Sequence, residues 1–243
     1  MRVAILTDIH GNRPAFEAAI AAAEAAAADE MWCLGDLVGY GAEPDACVAL
    51  ARKHATVNLA GNHDLAVCDQ ISLDDFSPGA ALAALWTREQ MTAEHLRWLG
   101  SLAPTGEESA IGLYHASPRD PVWEYVLSTL LAELCLDAQS QRVCLVGHSH
   151  VALSFSRRGG EPATGETRSA GSRLELAEGE WLINPGSVGQ PRDGDPRAAW
   201  LLLDTQAWSA IYQRTDYAIS SAQAAIRKAG LPDSLAERLE YGQ

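Results

Sequence analysis

Val3-Ala4-Ile5-Leu6-Thr7-Asp8-Ile9-His10 is a short apolar, partly β-branched run that ends abruptly in polar side chains. A run of this length, closed by turn residues, suits a strand buried on both faces. After Gly11-Asn12-Arg13-Pro14 comes an Ala-rich stretch, Ala15 to Ala28, with Phe16 and Ile20 four apart. Pro14 near its start and its high intrinsic propensity predict a helix. Met31-Trp32-Cys33-Leu34 repeats the strand pattern and ends at Gly35-Asp36. Asp45 to His54 reads as a second helix, and Thr56 to Ala60 as a third strand ending at Gly61-Asn62. Strand, helix, strand, helix, strand at this spacing predicts right-handed crossovers, a parallel sheet and an α/β fold.

Further along, Pro78 to Leu102 reads as helical, with Leu82, Leu85, Trp86, Met91, Leu96 and Leu99 as its apolar face. Ile111 to Tyr114 is a strand ending at His115, Pro121 to Leu136 a helix, and Val143 to Val146 a strand ending at Gly147-His148. Leu174 to Leu176, Trp181 to Ile183, Ala199 to Leu203 and Ser209 to Tyr212 alternate as antiparallel strands do. Two amphipathic helices, Tyr217 to Ala229 and Ser234 to Tyr241, follow. Arg157 to Ser172, poor in apolar residues and rich in Gly, is expected to be a mobile hairpin tip, either plainly solvated or a lid over substrate. No internal repeat is present, and one domain over residues 1–243 is expected.

Composition narrows the function. The 18 basic and 32 acidic residues give a formal charge of −14, against a surface that coats long nucleic acid or docks on an anionic membrane. A phosphorylated substrate held at one local site remains compatible. Five scattered cysteines without a Cys-x-x-Cys pair fit neither a disulfide framework nor a zinc knuckle, and point to buried thiols in a reducing cytoplasm. The first apolar run is too short for a signal peptide or a membrane span, so a soluble, cytoplasmic protein is expected.

The chemistry gathers at strand ends. Five expected strands close on Asp8-Ile9-His10, Gly35-Asp36, Gly61-Asn62-His63-Asp64, His115 and Gly147-His148-Ser149-His150. In an open parallel sheet, functional groups collect at the carboxyl ends of strands. His54 and His95 fall in helices and read as surface residues, whereas the other five histidines lie at those ends. Together they offer carboxylate, imidazole and amide oxygen ligands without thiolate, a donor set suited to Mn, Fe, Zn or Ni.

This ordered set resembles the calcineurin-like metallophosphoesterase superfamily. Gly35-Asp36-Leu37-Val38-Gly39-Tyr40-Gly41 and Asn184-Pro185-Gly186-Ser187-Val188-Gly189-Gln190-Pro191-Arg192 look like its small bacterial branch, generally described as phosphodiesterases. The resemblance implies a four-layer α/β/β/α sandwich of mixed sheets and a site for two metal ions. Asp8, His10, Asp36 and His150 would bind the first ion; Asp36, Asn62, His115 and His148 would bind the second, with Asp36 bridging. Two such cations clamp phosphate oxygens and supply a hydroxide for in-line attack.

His63 follows Asn62 but lies outside that ligand set, and is expected to protonate the leaving oxygen or donate to the transition state. Asp64 either orients and charge-stabilises His63 or caps the following helix. Arg13, Arg119 and Arg192 lie in loops beside the motifs, either as phosphate forks or as surface ion pairs. Tyr40 either flanks the substrate or packs. Ser149 and Ser187 lie outside any Gly-x-Ser-x-Gly, against a serine hydrolase. The expected activity is hydrolysis of a small phosphodiester or nucleotide-type substrate. A phosphomonoesterase or protein phosphatase on the same site is the alternative, and a non-catalytic metal-bound interaction scaffold the rival from another class. A nuclease is disfavoured, because no basic groove is legible.

Overall fold

A computed structural model describes residues 1–243. In chain order the elements are β1 (Arg2–Leu6), α1 (Arg13–Ala25), β2 (Glu30–Cys33), α2 (Pro44–His54), β3 (Val57–Asn58), α3 (Asn62–Val67), α4 (Pro78–Gln90) and α5 (Ala93–Leu99). Next come β4 (Thr105–Glu108), β5 (Ile111–Tyr114), α6 (Thr129–Ala138), β6 (Val143–Leu145), β7 (Ala152–Arg157), β8 (Thr164–Thr167) and β9 (Arg173–Glu175). The chain finishes with β10 (Glu180–Pro185), β11 (Ala198–Asp204), β12 (Ser209–Thr215), α7 (Ile219–Lys228) and α8 (Asp233–Tyr241).

The strands form two mixed sheets, ordered β3-β2-β1-β11-β12-β9 and β4-β5-β6-β10-β7-β8. The period-2 side-chain alternation explains how they stack. Val3 and Ile5 of β1 meet Val143 and Leu145 of β6, Trp181 and Ile183 of β10, and Leu201 and Leu203 of β11 between the sheets. The intervening Ala4, Leu6, Trp200 and Leu202 face outward onto Phe16, Ile20 and Val48 of α1 and α2. Cys144, Val146 and Leu182 face the other way, onto Ala132, Cys135 and Leu136 of α6. Apolar burial on both faces of both sheets is what the continuous strand runs encode, and it yields α/β/β/α layering. Fully buried Trp32 and Phe16 each contribute roughly 1.5–3 kcal/mol or more of burial free energy. Tyr212 donates from its hydroxyl to the Leu153 carbonyl at 2.7 Å, tying the first sheet to the second.

The parallel sheet expected from the first three strands holds for β1, β2 and β3, but the five motif-bearing strands do not share it. β5 and β6 pair with each other, and β6 with β10, all parallel, in the second sheet. The site therefore forms where two sheets present strand ends to one another. Two expected helices are also shorter. Pro78 to Leu102 breaks at Met91-Thr92, whose backbone is extended, because the Thr92 hydroxyl caps a new helix at the His95 N–H. Pro121 to Leu127 is not helical: Asp120 Oδ1 accepts from the Val122 and Trp123 N–H groups in an Asx turn, and the helix starts only after the Ser128 cap. The stretch 157–172 holds the β7–β8 turn and strand β8, and none of its residues lines the cavity described below. No helix is long and apolar enough to cross a membrane.

Candidate metal centre

The segments that leave β1, β2, β3, β5 and β6 carry the candidate ligands, five of the seven in an uncommon backbone conformation. Asp8, His10, Asp36, His148 and His150 all have positive φ, between 51° and 63°. A residue with a Cβ pays roughly 1–2 kcal/mol in that region, so five such positions around one point store strain where ligands are aimed. The turns are fixed by cross-sheet stitching. Ser187 donates to the Asp8 carbonyl at 2.8 Å, and Val188 N–H to the Thr7 carbonyl at 3.0 Å. Asn184, at the end of β10, donates to the Gly147 carbonyl at 2.6 Å and to Ser149 Oγ at 3.0 Å. The Asn184–Gln190 segment thus locks the Asp8 loop of one sheet to the His148–His150 loop of the other.

Two groups of ligand atoms result, Asp8, His10, Asp36 and His150 in one, Asp36, His115 and His148 in the other, each group within 4.8 Å. Asp36 belongs to both: its Oδ2 lies 3.5 Å from His10 Nε2 and 3.5 Å from His115 Nε2. Its Oδ1 accepts from the His63 N–H at 2.9 Å. Asn62, the first residue of α3, brings Oδ1 to 3.2 Å from His115 Nε2. Asp8 Oδ1 is 3.5 Å from His150 Nε2, and both Asp8 oxygens accept from the His148 N–H. All seven candidate ligands are buried.

Hydrogen bonding settles where the ring protons sit. Nδ1 of His10, His115 and His150 pairs with the carbonyls of Val38, Leu34 and Gln190, at 3.1, 2.9 and 2.6 Å. A carbonyl only accepts, so each Nδ1 carries the proton and each Nε2 presents a lone pair. These lone pairs face one another and face carboxylate and amide oxygens; His148 Nε2 is buried with no partner at all. Acceptors massed against acceptors in a dry site need a cation, and the residues fit one. Burial, the leading cause in each case, pushes Asp8 up to about 7 and Asp36 upward, and His10, His148 and His150 downward. Carboxylate, imidazole and amide donors without thiolate form a hard-to-borderline set.

Above the ligands opens a cavity of about 300 Å³. His63 lines it, packed on Tyr40 and His10 at ring separations of 4.4 and 4.8 Å, with Nδ1 buried and unpartnered. Burial, then Arg192 and His115, holds its ring neutral, with a pKa lowered to about 3. Tyr40 and Arg192 also line the cavity, the guanidinium lying 5.9 Å over the phenol ring. Asp64 does not reach His63's ring. Its carboxylate accepts from the N–H groups of Leu37, Val38 and Gly61, capping α3 and clamping the Asp36 loop. Of the two readings open to it, the geometry supports the cap.

Two of the three expected phosphate forks are elsewhere. Arg13 does not line the cavity, because on the surface at the start of α1 it pairs with Glu17 and Glu43. Arg119 is likewise drawn away, to Glu124 at 3.2 Å. The cavity instead recruits Arg238 from α8, and Phe76, Trp123 and Tyr125, none of which the sequence reading singled out. Arg238 carries no local signal. Trp123 and Tyr125 do: in an extended segment, residues two apart share a face, and both turn to the cavity while Glu124 turns to Ser117 and Arg119.

Two facing mixed sheets whose strand ends converge on a buried Asp/His cluster define a metallophosphoesterase. Residues 1–207 match the family model described as the calcineurin-like phosphoesterase superfamily domain, and the chain belongs to that superfamily. An uncharacterized protein of Methanocaldococcus jannaschii is 35% identical over 99% of this chain and 98% of its own length. The crystal structure of a metallophosphoesterase from Sphaerobacter thermophilus superposes with a TM-score of 0.90 at 40% identity, covering 100% of this chain and 99% of that one. A hypothetical protein from Pyrococcus horikoshii shares the fold, with a TM-score of 0.80 at 18% identity over 100% of this chain and 98% of that one. The protein is a phosphoesterase-type hydrolase with a candidate metal site.

Proposed function

We propose that the cavity hydrolyses a P–O bond of a small phosphodiester or nucleotide-type substrate with two bound metal ions. The carrying observation is the shared position of Asp36 Oδ2, 3.5 Å from imidazoles of both ligand groups. Asp8, His10, Asp36 and His150 would hold one ion and Asp36, Asn62, His115 and His148 the other. When bound, such ions neutralise phosphate oxygens and lower the pKa of water.

The chain's own residues supply the rest. Arg192, the cationic fork nearest the ligands, binds non-bridging oxygens and orients phosphorus. His63 faces the cavity as a neutral ring, and its N–H donates a hydrogen bond to the leaving oxygen as charge develops there. Tyr40 keeps His63 and Arg192 in register. Water attacks opposite the leaving oxygen, so configuration at phosphorus inverts and no phosphoenzyme forms. A cavity of this size suits a small organic phosphate better than a protein or a nucleic-acid strand. A net charge of −14 is compatible with such a substrate, because the attraction is local.

A screen of metal-reconstituted protein against monoesters, diesters, cyclic nucleotides and dinucleotides tests this reading. Turnover of diesters or nucleotides above monoesters is expected. A protein that takes up metal yet hydrolyses none of them would be a scaffold.

A further inference from the structure

The walls of the cavity are chemically unequal. Arg192 and Arg238 both line it, and neither pairs with an Asp or Glu side chain, whereas Arg13, Arg119 and Arg214 each do. Arg192 Nη2 donates to Gln190 Oε1 and its Nε is buried without a partner. Arg238 donates from Nε to the main-chain oxygen of Gln243 at 2.6 Å. Its guanidinium is half-buried, and burial together with the charge of Arg192 holds its pKa below the usual arginine value. Two like charges placed together in a partly dry wall are costly unless an anion joins them. The lining also includes Phe76 and Trp123, edge to face at 5.2 Å, and Tyr125, 4.1 Å from the His148 ring. Tyr125 is 45% exposed although it lines the site, which leaves its ring available for contact. The carboxylates of the lining are Asp36, at the ligand centre, and Asp75, exposed at the rim next to Phe76.

We propose that Arg238, with Arg192 shared between the two phosphates, forms a subsite for a second phosphate beside the one that is cleaved, and that Phe76, Trp123 and Tyr125 receive a planar ring. The substrate class is then a nucleoside phosphoanhydride, a nucleotide with at least two phosphates in series. This rests on the phosphoesterase reading and makes it more specific. Hydrolysis forms one P–O bond from water to the attacked phosphorus and breaks the bridging P–O bond. The bridging oxygen leaves with the other phosphate, its developing charge stabilised by the His63 N–H, and the proton released from water passes to solvent. No oxidant or further reactant is needed. Guanidinium forks suit the subsite because each offers parallel N–H donors to phosphate oxygens. Stacking rings suit it because every nucleobase has a π face.

The test compares the full chain, loaded with manganese, on adenosine 5′-diphosphate and on bis(p-nitrophenyl) phosphate, which has a single phosphate. Arg238→Met is expected to lower the ratio of kcat/KM for the diphosphate to that for the diester by about tenfold or more, chiefly through KM. Arg238→Lys should recover part of it. A ratio unchanged in Arg238→Met, or a diester that is cleaved while the diphosphate is not, overturns the subsite and leaves the phosphoesterase reading intact. If neither compound is cleaved, the phosphoesterase reading fails separately. Calorimetric titration with α,β-methylene adenosine diphosphate, with and without manganese, then decides the subsite. Binding weakened about tenfold in Arg238→Met supports it; equal affinity, or no binding to the unsubstituted chain, overturns it.

Discussion

His10 and His150 face each other Nε2 to Nε2 at 3.1 Å, while the Nδ1 of each is held by a main-chain carbonyl. Neither facing nitrogen has a proton to share, so the contact sets lone pair against lone pair. A cation turns it into a chelate. Binding to the folded state alone stabilises by about 2.7 kcal/mol at a hundredfold excess over Kd. For a chain of this size that corresponds to a rise in Tm of about 5–10 °C. Scanning calorimetry with manganese, zinc or iron(II) added to chelator-treated protein checks it. No shift with any of them would remove the cation from the account.

Asp36 is the second test, because one oxygen serves both ligand groups. Asp36→Asn keeps an acceptor for the His63 N–H and is expected to leave the fold intact. Bound metal should fall below that of the unsubstituted chain, and turnover by more than about 100-fold. Metal analysis and rate are measured on the same sample. Full metal content with near-normal turnover would contradict the bridging role.

Gly61 lets the turn after β3 pass directly against that carboxylate. A Cβ there would overlap Asp36 Oδ1 and lie 2.5 Å from Asp36 N. Gly61→Ala is therefore expected to cost about 1–3 kcal/mol of stability and to reduce metal uptake. Gly79→Ala is the control: in α4, with nothing within 4 Å of the added methyl, it should be neutral or stabilising by up to about 1 kcal/mol. Equal effects in denaturant melts would show that the Asp36 contact is irrelevant.

His63→Ala probes hydrogen-bond donation to the leaving oxygen. Metal content should stay unchanged, while rates fall by about 10²–10³ for alkoxide leaving groups and much less for p-nitrophenolate, which delocalises its charge. Parallel loss on both would leave His63 as a binding residue only.

Much of this is legible in the sequence. The strand runs at Val3–Leu6 and Val143–Val146 are apolar at successive positions because both faces are buried, and each ends on ligands. What local pattern could not reveal is pairing between distant segments. That β5 and β6 belong to a second sheet depends on tertiary contacts, and the sandwich came from the family resemblance. Arg13 and Arg119 looked equivalent to Arg192, and only Glu17, Glu43 and Glu124 decide otherwise. Pro121–Leu127 has the pattern of a helix, but Asp120 supplies a turn that competes with it. Arg238 lies some two hundred residues from the ligands at the start of the chain, and nothing near it in the sequence announces a site.

The central claim is that turnover requires two ions sharing Asp36. It is tested most directly by titrating chelator-treated protein with manganese while following bis(p-nitrophenyl) phosphate hydrolysis. The expected rate climbs to a plateau at two equivalents per chain. A plateau at one equivalent, or turnover that persists in excess chelator, would contradict it.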